Sequence, residues 1–289
     1  NTGDSNDLIG RIGINLAEAM GNKQNVYHLA IAGSTGSQGN TSHNASYNAE
    51  DRGASFISQA ITGKRDRYGL EGILAWNNYK LQGEYSDAYY KARSQGATGV
   101  GGVLNDSIAK ADVETWYAEA LWILTGEKYS DTYKKGVMGT LKPSQEFNMD
   151  TGTGLGLWEL GFRVDKFDVY NTSNTGSDKT RFQGATDGTT TNATASKSKI
   201  DECSYTGSGV NTVAGSCNGG ATSYTAGIKW VWNPNMLIKA SYTYTDYDHA
   251  FYPIDIGAKS VRASGITPAS DLKKIDHEDL FMIRGQYSF

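Results

Sequence analysis

Apolar and polar residues alternate with a period of two through block after block of this chain. From Ser223 to Asn233, Tyr224, Ala226, Ile228, Trp230 and Trp232 fall on one side, with Thr225, Gly227, Lys229 and Val231 on the other. Met236 to Tyr247 repeats the pattern after the turn Asn233-Pro234-Asn235, where proline cannot continue a ladder. In HEDLFMIRGQYSF (His277 to Phe289), Phe281, Ile283, Gly285, Tyr287 and Phe289 oppose Leu280, Met282, Arg284, Gln286 and Ser288. Strand side chains alternate in this way and helical ones do not, so each block predicts a strand. Further blocks run over Arg11–Leu16, Val26–Gly33, Arg67–Trp76, Tyr79–Tyr89, Val113–Thr125 and Leu157–Asp168. About nine strands result, most near the roughly 9–11 residues that cross a bilayer at a tilt.

The connections between blocks alternate too. Gly21–Asn25, Asn77–Asn78 and Asn233–Asn235 are short, whereas 35–64, 93–112, 169–222 and 248–276 are long and polar. Short periplasmic turns and long extracellular loops are the rule for outer-membrane barrels. A closing strand with outward aromatics and a terminal Phe fits the same class and puts Phe289 on the periplasmic side. One connection departs from the rule: 127–153 counts as periplasmic yet is long, and it is expected to be taken up partly as strand extensions. The odd count is a second departure, because single-chain bacterial barrels are even-stranded and an open edge in lipid leaves backbone groups unpaired. Either amino-terminal strands are absent from this sequence, or a weakly patterned strand lies within 50–64.

Composition fits a barrel without requiring one. The chain has 289 residues, 38% of them hydrophobic, with 18 Tyr, 6 Trp, 35 Gly and only 4 Pro. Mean hydropathy is -0.50, and no apolar run longer than about Ala120–Leu124 excludes a bundle of transmembrane helices. A low average is compatible with a membrane barrel, where only alternate residues face lipid. Net charge of -4 with scattered bases excludes the basic patch that nucleic acid selects. The first ten residues carry no signal-peptide core. Cys203 and Cys217, the only two cysteines, lie in a Gly/Ser/Thr/Asn-rich stretch of the 169–222 loop and are read as a disulfide.

The segments RDRYGLEGILAWNNYKLQGEYSDAYY (65–90), WYAEALWILTGEKY (116–129), LGLWELGFRVDKFD (155–168), YTAGIKWVWNPNMLIKASYTYTDY (224–247) and HEDLFMIRGQYSF resemble the phosphate-selective porin O and P family of Gram-negative outer membranes. The LTGE step and the W-x-NPN hairpin carry most of the likeness. The resemblance implies an all-β, antiparallel transmembrane barrel of about sixteen strands when complete, working as a homotrimer. This sequence would supply roughly the carboxyl-terminal nine, as a single barrel domain over 1–289. The family's inward-folded constriction loop follows an early strand and is therefore expected to be missing.

The phases of the strands select the candidate functional residues. Arg11, Arg67, Lys80, Arg163, Lys229, Lys239 and Arg284 share the polar face with Glu71, Glu84, Glu119, Glu159 and Asp165. Such charges are tolerated where the face is wet, and basic rings favour anions. Two readings stay open: a selective basic track, or bases that pair with neighbouring acids and stiffen the wall. No catalytic grouping stands out. Gly215-Ser216-Cys217-Asn218-Gly219 lacks the strand and helix of a nucleophile elbow, Gly152–Gly156 precedes a strand and not a phosphate-binding helix, and the four histidines show no metal spacing. The expected function is passive diffusion of small hydrophilic solutes, with anions or phosphate preferred, by a chain seated in outer-membrane lipid and lipopolysaccharide, without cofactor, metal or nucleic acid. The alternative is a barrel acting as scaffold or adhesin through its long loops.

Overall fold

The computed structural model describes residues 5–37, 43–48, 55–61, 64–95, 106–175, 219–251 and 275–288. Nine strands form one antiparallel sheet: β1 (Ser5–Asn15), β2 (Asn25–Ser37), β5 (Lys64–Trp76), β6 (Tyr79–Gln95), β7 (Asp106–Ile123), β10 (Leu157–Thr175), β11 (Gly219–Asn233), β12 (Met236–Phe251) and β13 (Ile275–Tyr287). They pair in chain order, each with its neighbour, so every connection is a simple up-and-down step. Among the described residues β1 pairs only with β2 and β13 only with β12, which leaves the sheet open at those two edges. A hairpin of β3 (His43–Asn48) and β4 (Ser55–Ile61) forms a separate small sheet. The weakly patterned stretch within 50–64 therefore does contain a strand, but it does not join the main sheet. Among the described residues no helix is long and apolar enough to cross a membrane.

The expected strands are all present, and most run longer than their alternation suggested. β10 extends to Thr175 and β7 begins at Asp106, because ladder pairing continues into polar sequence where no apolar face marks it. The turns fall where the asparagines predicted them. Asn77 adopts φ +50° between β5 and β6, a conformation Asn tolerates better than most residues.

Cross-strand register sorts the side chains onto two faces. On the apolar face Trp76 pairs with Tyr79, Tyr79 with Trp122, Trp122 with Leu160, Leu160 with Ile228, Ile228 with Ala240 and Ala240 with Ile283. This face is bare: Ile12 is 75% exposed, Phe162 51% and Ile283 66%. An uncovered apolar surface of this breadth does not persist in water, so lipid or protein must cover it. One group of aromatic side chains stacks at the turn end, where Tyr79 lies between Trp76 and Trp122 at 5.9 Å each and Trp158 stacks on Trp230 at 4.8 Å. Along β10 the apolar positions run from Trp158 to Val164, and Lys166 is the first charge on that side, paired with Asp168 at 3.5 Å. The eight steps from Trp158 to Lys166 cover about 27 Å, on the order of the apolar band of a membrane strand.

The connection 127–153 corrects the sequence reading. It does not extend the strands, since β7 ends at Ile123 and β10 starts at Leu157. It forms a one-turn 3-10 helix (Tyr129–Thr132) and a tiny hairpin of β8 (Tyr133–Lys134) and β9 (Val137–Met138), turned by Lys135 and Gly136 at φ +50° and +81°. The whole unit lies over the polar face at the turn end. Tyr129 and Leu141 pack there with Val26, Ala75, Ile123, Leu157 and Val231, a buried cluster among the described residues. Burying such side chains contributes about 1.5–3 kcal/mol each, so this strap is held as core and not as loose loop.

Two outcomes test this architecture. Cysteine at position 284 should react with a membrane-impermeant thiol reagent, while Ile283→Cys should react at least several-fold more slowly; equal rates would mean a one-residue register error. Gly156 closes the strap at φ +65°, where a Cβ would lie 2.5 Å from the Val231 carbonyl oxygen and 2.7 Å from Trp230 Nε1. Gly156→Ala should destabilise by about 1–3 kcal/mol, read as a lower urea midpoint in detergent.

Candidate functional site

The polar face, crossed at the turn end by the strap, holds the charged residues selected from the sequence. Register places them in successive cross-strand rows. Glu159, Lys229, Lys239 and Arg284 form one row directly across β10, β11, β12 and β13. Glu119 and Arg163 pair across β7 and β10. Glu71 and Glu84 pair across β5 and β6.

Most of the bases are neutralised where they stand. Lys229 Nζ meets Glu159 Oε1 at 2.5 Å. Lys80 Nζ meets Glu119 Oε1 at 3.2 Å and is only 8% exposed. The Arg163 guanidinium contacts Glu119 at 3.7 Å and Asp165 at 2.5 Å, and lies 3.7 Å from the centre of the Tyr117 ring. Arg11 is paired with Glu71. Arg67 Nε donates to Ser34 Oγ at 3.0 Å, and Glu84 accepts from the Tyr117 hydroxyl at 2.8 Å. Lys239 and Arg284 differ: both are exposed, and neither makes an ion pair among the described residues. Of the two readings left open by the sequence, wall pairing describes Arg11, Lys80, Arg163 and Lys229, and the free cationic pair is Lys239 with Arg284.

The strap attaches to these same charges through two tyrosines that the sequence reading did not select. Tyr129, 2% exposed, donates its hydroxyl to Glu159 Oε2 at 2.9 Å, so Glu159 is held between Lys229 and the strap. Tyr133 Oη lies 2.8 Å from His28 Nδ1, and His28 Nε2 lies 2.8 Å from Glu71 Oε1. The carboxylate can only accept, so Nε2 carries a proton toward Glu71, while Nδ1 is joined to the Tyr133 hydroxyl. Burial is the first cause that pushes both phenols above their ordinary pKa, reinforced at Tyr129 by the Glu159 charge; both stay protonated at any physiological pH. His28 is buried and bonded at both ring nitrogens. The signal available in the sequence was a connection too long for a turn, with Tyr at two positions four apart.

On its outer side the strap presents its own charges. Lys128, Lys134 and Lys142 are exposed and line one cleft of about 700 Å³ with Thr132, Thr140 and Ser144. Glu127 and Asp131 are the acids of this cleft. Glu127 is already engaged: the Ser144 amide and hydroxyl each donate to its Oε1 at 2.8 Å, and the Thr125 hydroxyl to its Oε2. Beyond Ser144 the strap turns over the rim of the sheet. The Phe147 amide donates to the Trp232 carbonyl at 2.8 Å, and the Leu155 carbonyl accepts from both Trp158 Nε1 and Trp230 Nε1.

Among the described residues no group of His, Cys, Asp and Glu could hold a metal ion. Cys203, Cys217 and Phe289 lie outside the described residues, as does most of 169–222. The family model for phosphate-selective porin O and P matches residues 31–251, most of the chain. No curated protein matches it.

Glu127 supplies a pH test of the strap. Burial alone would raise its carboxyl, but the hydrogen bonds from Ser144 and Thr125 outweigh burial and hold it below the ordinary 4.5. A depressed carboxyl stabilises fully above its unfolded value and loses that contribution as pH falls through the folded one. Protection factors across 127–144, corrected for the pH dependence of intrinsic amide exchange, should therefore fall as the solution is taken from pH 6 to below about 4. Glu127→Gln should show the reduced protection already at pH 6 and no further step on acidification.

Proposed function

The chain belongs to the phosphate-selective porin O and P family, a family of outer-membrane channels and not of enzymes, and on that premise we propose that it admits small hydrophilic solutes with a preference for anions. The bare apolar face supports lipid on one side of the sheet, and the charged, strap-crossed face supports a wet lumen on the other. One observation carries the solute preference: Lys239 and Arg284 stand side by side across β12 and β13 without acids of their own. With Arg11, Lys80, Arg163 and Lys229 cancelled by wall carboxylates, these two form an adjacent pair of wall cations left to act on a passing ion, while Arg67, bonded to Ser34, stands by itself nearer the other end of the face. The strap lies at the same end and adds three further lysines around its cleft. A solute leaving by the turn end meets the free pair and then the strap. The arrangement favours inorganic anions such as phosphate over cations, and it serves a homotrimer as well as a single barrel.

The test is electrical. In a salt gradient the wild-type channel should show an anion-directed reversal potential, growing as ionic strength falls because the field is screened within about 10 Å at 0.1 M salt. Lys239→Glu with Arg284→Glu should move it toward cations by several millivolts or more, with conductance kept. Arg163→Gln, which removes a base already paired, should move it far less. A reversal potential that the double variant leaves unchanged at low salt would remove the free pair from the permeation path. A purified protein that inserts without open-channel current would overturn the channel reading itself.

A further inference from the structure

Residues 144–156, where the strap passes over the rim, place apolar side chains in a position that the channel reading does not use. Met149 is 68% exposed and Leu155 66% exposed. Neither belongs to a strand, and a turn facing only water has no cause to present them. Their neighbours explain them. The Phe147 ring sits 5.2 Å from Trp230 and 5.6 Å from Trp232. Trp158 and Trp230, stacked at 4.8 Å, belong to the apolar face of the sheet, and both indole N–H groups are tied to the Leu155 carbonyl. The hook is thus fastened to the outside of the rim at β10 and β11, directly beneath the bare apolar belt and continuous with it. The next strand ends add Leu124, 44% exposed, and Trp122, 42% exposed.

We infer that the 144–156 hook is a membrane-interface anchor: Met149 and Leu155 enter the headgroup–acyl boundary of the bilayer at the turn end, and Phe147 wedges them against the tryptophans. The occupant is lipid because Phe147 and Leu155 adjoin the tryptophans that end the apolar belt. Tryptophan and tyrosine rings concentrate at this level of a membrane strand. The hook has its own polar side, where the Asn148 side chain accepts from the Asp150 and Thr151 amides and the Thr151 and Thr153 hydroxyls are paired, as an interfacial turn requires. The strap is then held from both sides of the wall, by Tyr129 and Tyr133 on the polar face and by lipid on the other. This inference rests on the outer-membrane reading above.

The experiment places an environment-sensitive fluorescent amino acid at position 149 or 155 in the full chain reconstituted in phospholipid vesicles. Position 162, in the middle of the belt, and position 135, at the strap's hairpin turn, serve as references. Lipids brominated near the carbonyl should quench positions 149 and 155 at least half as strongly as mid-chain brominated lipids quench position 162, and aqueous iodide should quench them several-fold less than position 135. Iodide quenching equal to that at position 135, without bromolipid quenching, would overturn the anchor. Energy transfer between differently labelled copies, persisting on lipid dilution together with loss of bromolipid quenching, would also overturn it and assign the patch to a second copy. If position 162 itself escaped bromolipid, the membrane reading would fail first, and the two failures are thereby told apart. A Met149→Gln, Leu155→Gln chain should insert and conduct, with current noise increased several-fold as the strap loses its outer hold. Unchanged noise alongside unchanged quenching of a label at position 147 would also count against the anchor.

Discussion

Backbone hydrogen bonding in the absence of water is the constraint on which the structure depends. A chain crossing lipid must pair every N–H and C=O within itself, and with no membrane-spanning helix among the described residues it is the ladder of strands that does so. Among the described residues, nine strands paired in chain order meet that demand everywhere but along the outer edges of β1 and β13. Once the ladder is set, the period-two alternation leaves no freedom: Trp122, Leu160, Ile228 and Ile283 must lie on one face, and Glu119, Arg163, Lys229 and Arg284 on the other. The bare face and the charged face are two consequences of one pairing scheme.

A single-layer sheet has no interior, which explains where the core is found. Val26, Ala75, Ile123, Leu157 and Val231 sit at strand ends on the polar face and would be exposed without the strap. Tyr129 and Leu141 cover them, so the buried cluster is built between the wall and a connection. The same burial makes the charges beneath it costly unless they are paired. Glu159 meets this by joining Lys229 and the Tyr129 hydroxyl, and Glu71 by joining Arg11 and His28. Charges away from the strap face no such demand, and Lys239 and Arg284 remain free. Packing at one end of the face thereby decides which cations are left for solute.

How much of this was legible in the sequence differs residue by residue. The face of each of the twelve charged candidates was set by alternation, because a strand side chain has only two directions to take. Strand ends were less legible: β10 continues past Asp168 to Thr175 through polar residues whose only reason to be extended is the neighbouring β7. The strap was misjudged as strand extension, since its Tyr and Leu positions follow no period and their partners lie far off in the chain. Tyr133 reaches His28 across 105 positions and Tyr129 reaches Glu159 across 30.

By itself the sequence determined an antiparallel all-β chain with one apolar and one charged face, its short turns, and its likeness to a porin family that matches residues 31–251. These depend on local periodicity and turn chemistry, which neighbouring residues encode. Only the tertiary structure decided which bases are cancelled, what covers the turn end of the polar face, and where the exposed Met149 and Leu155 come to rest. Those outcomes depend on distances between side chains of different strands, and a linear pattern carries no record of them until the register brings the strands together.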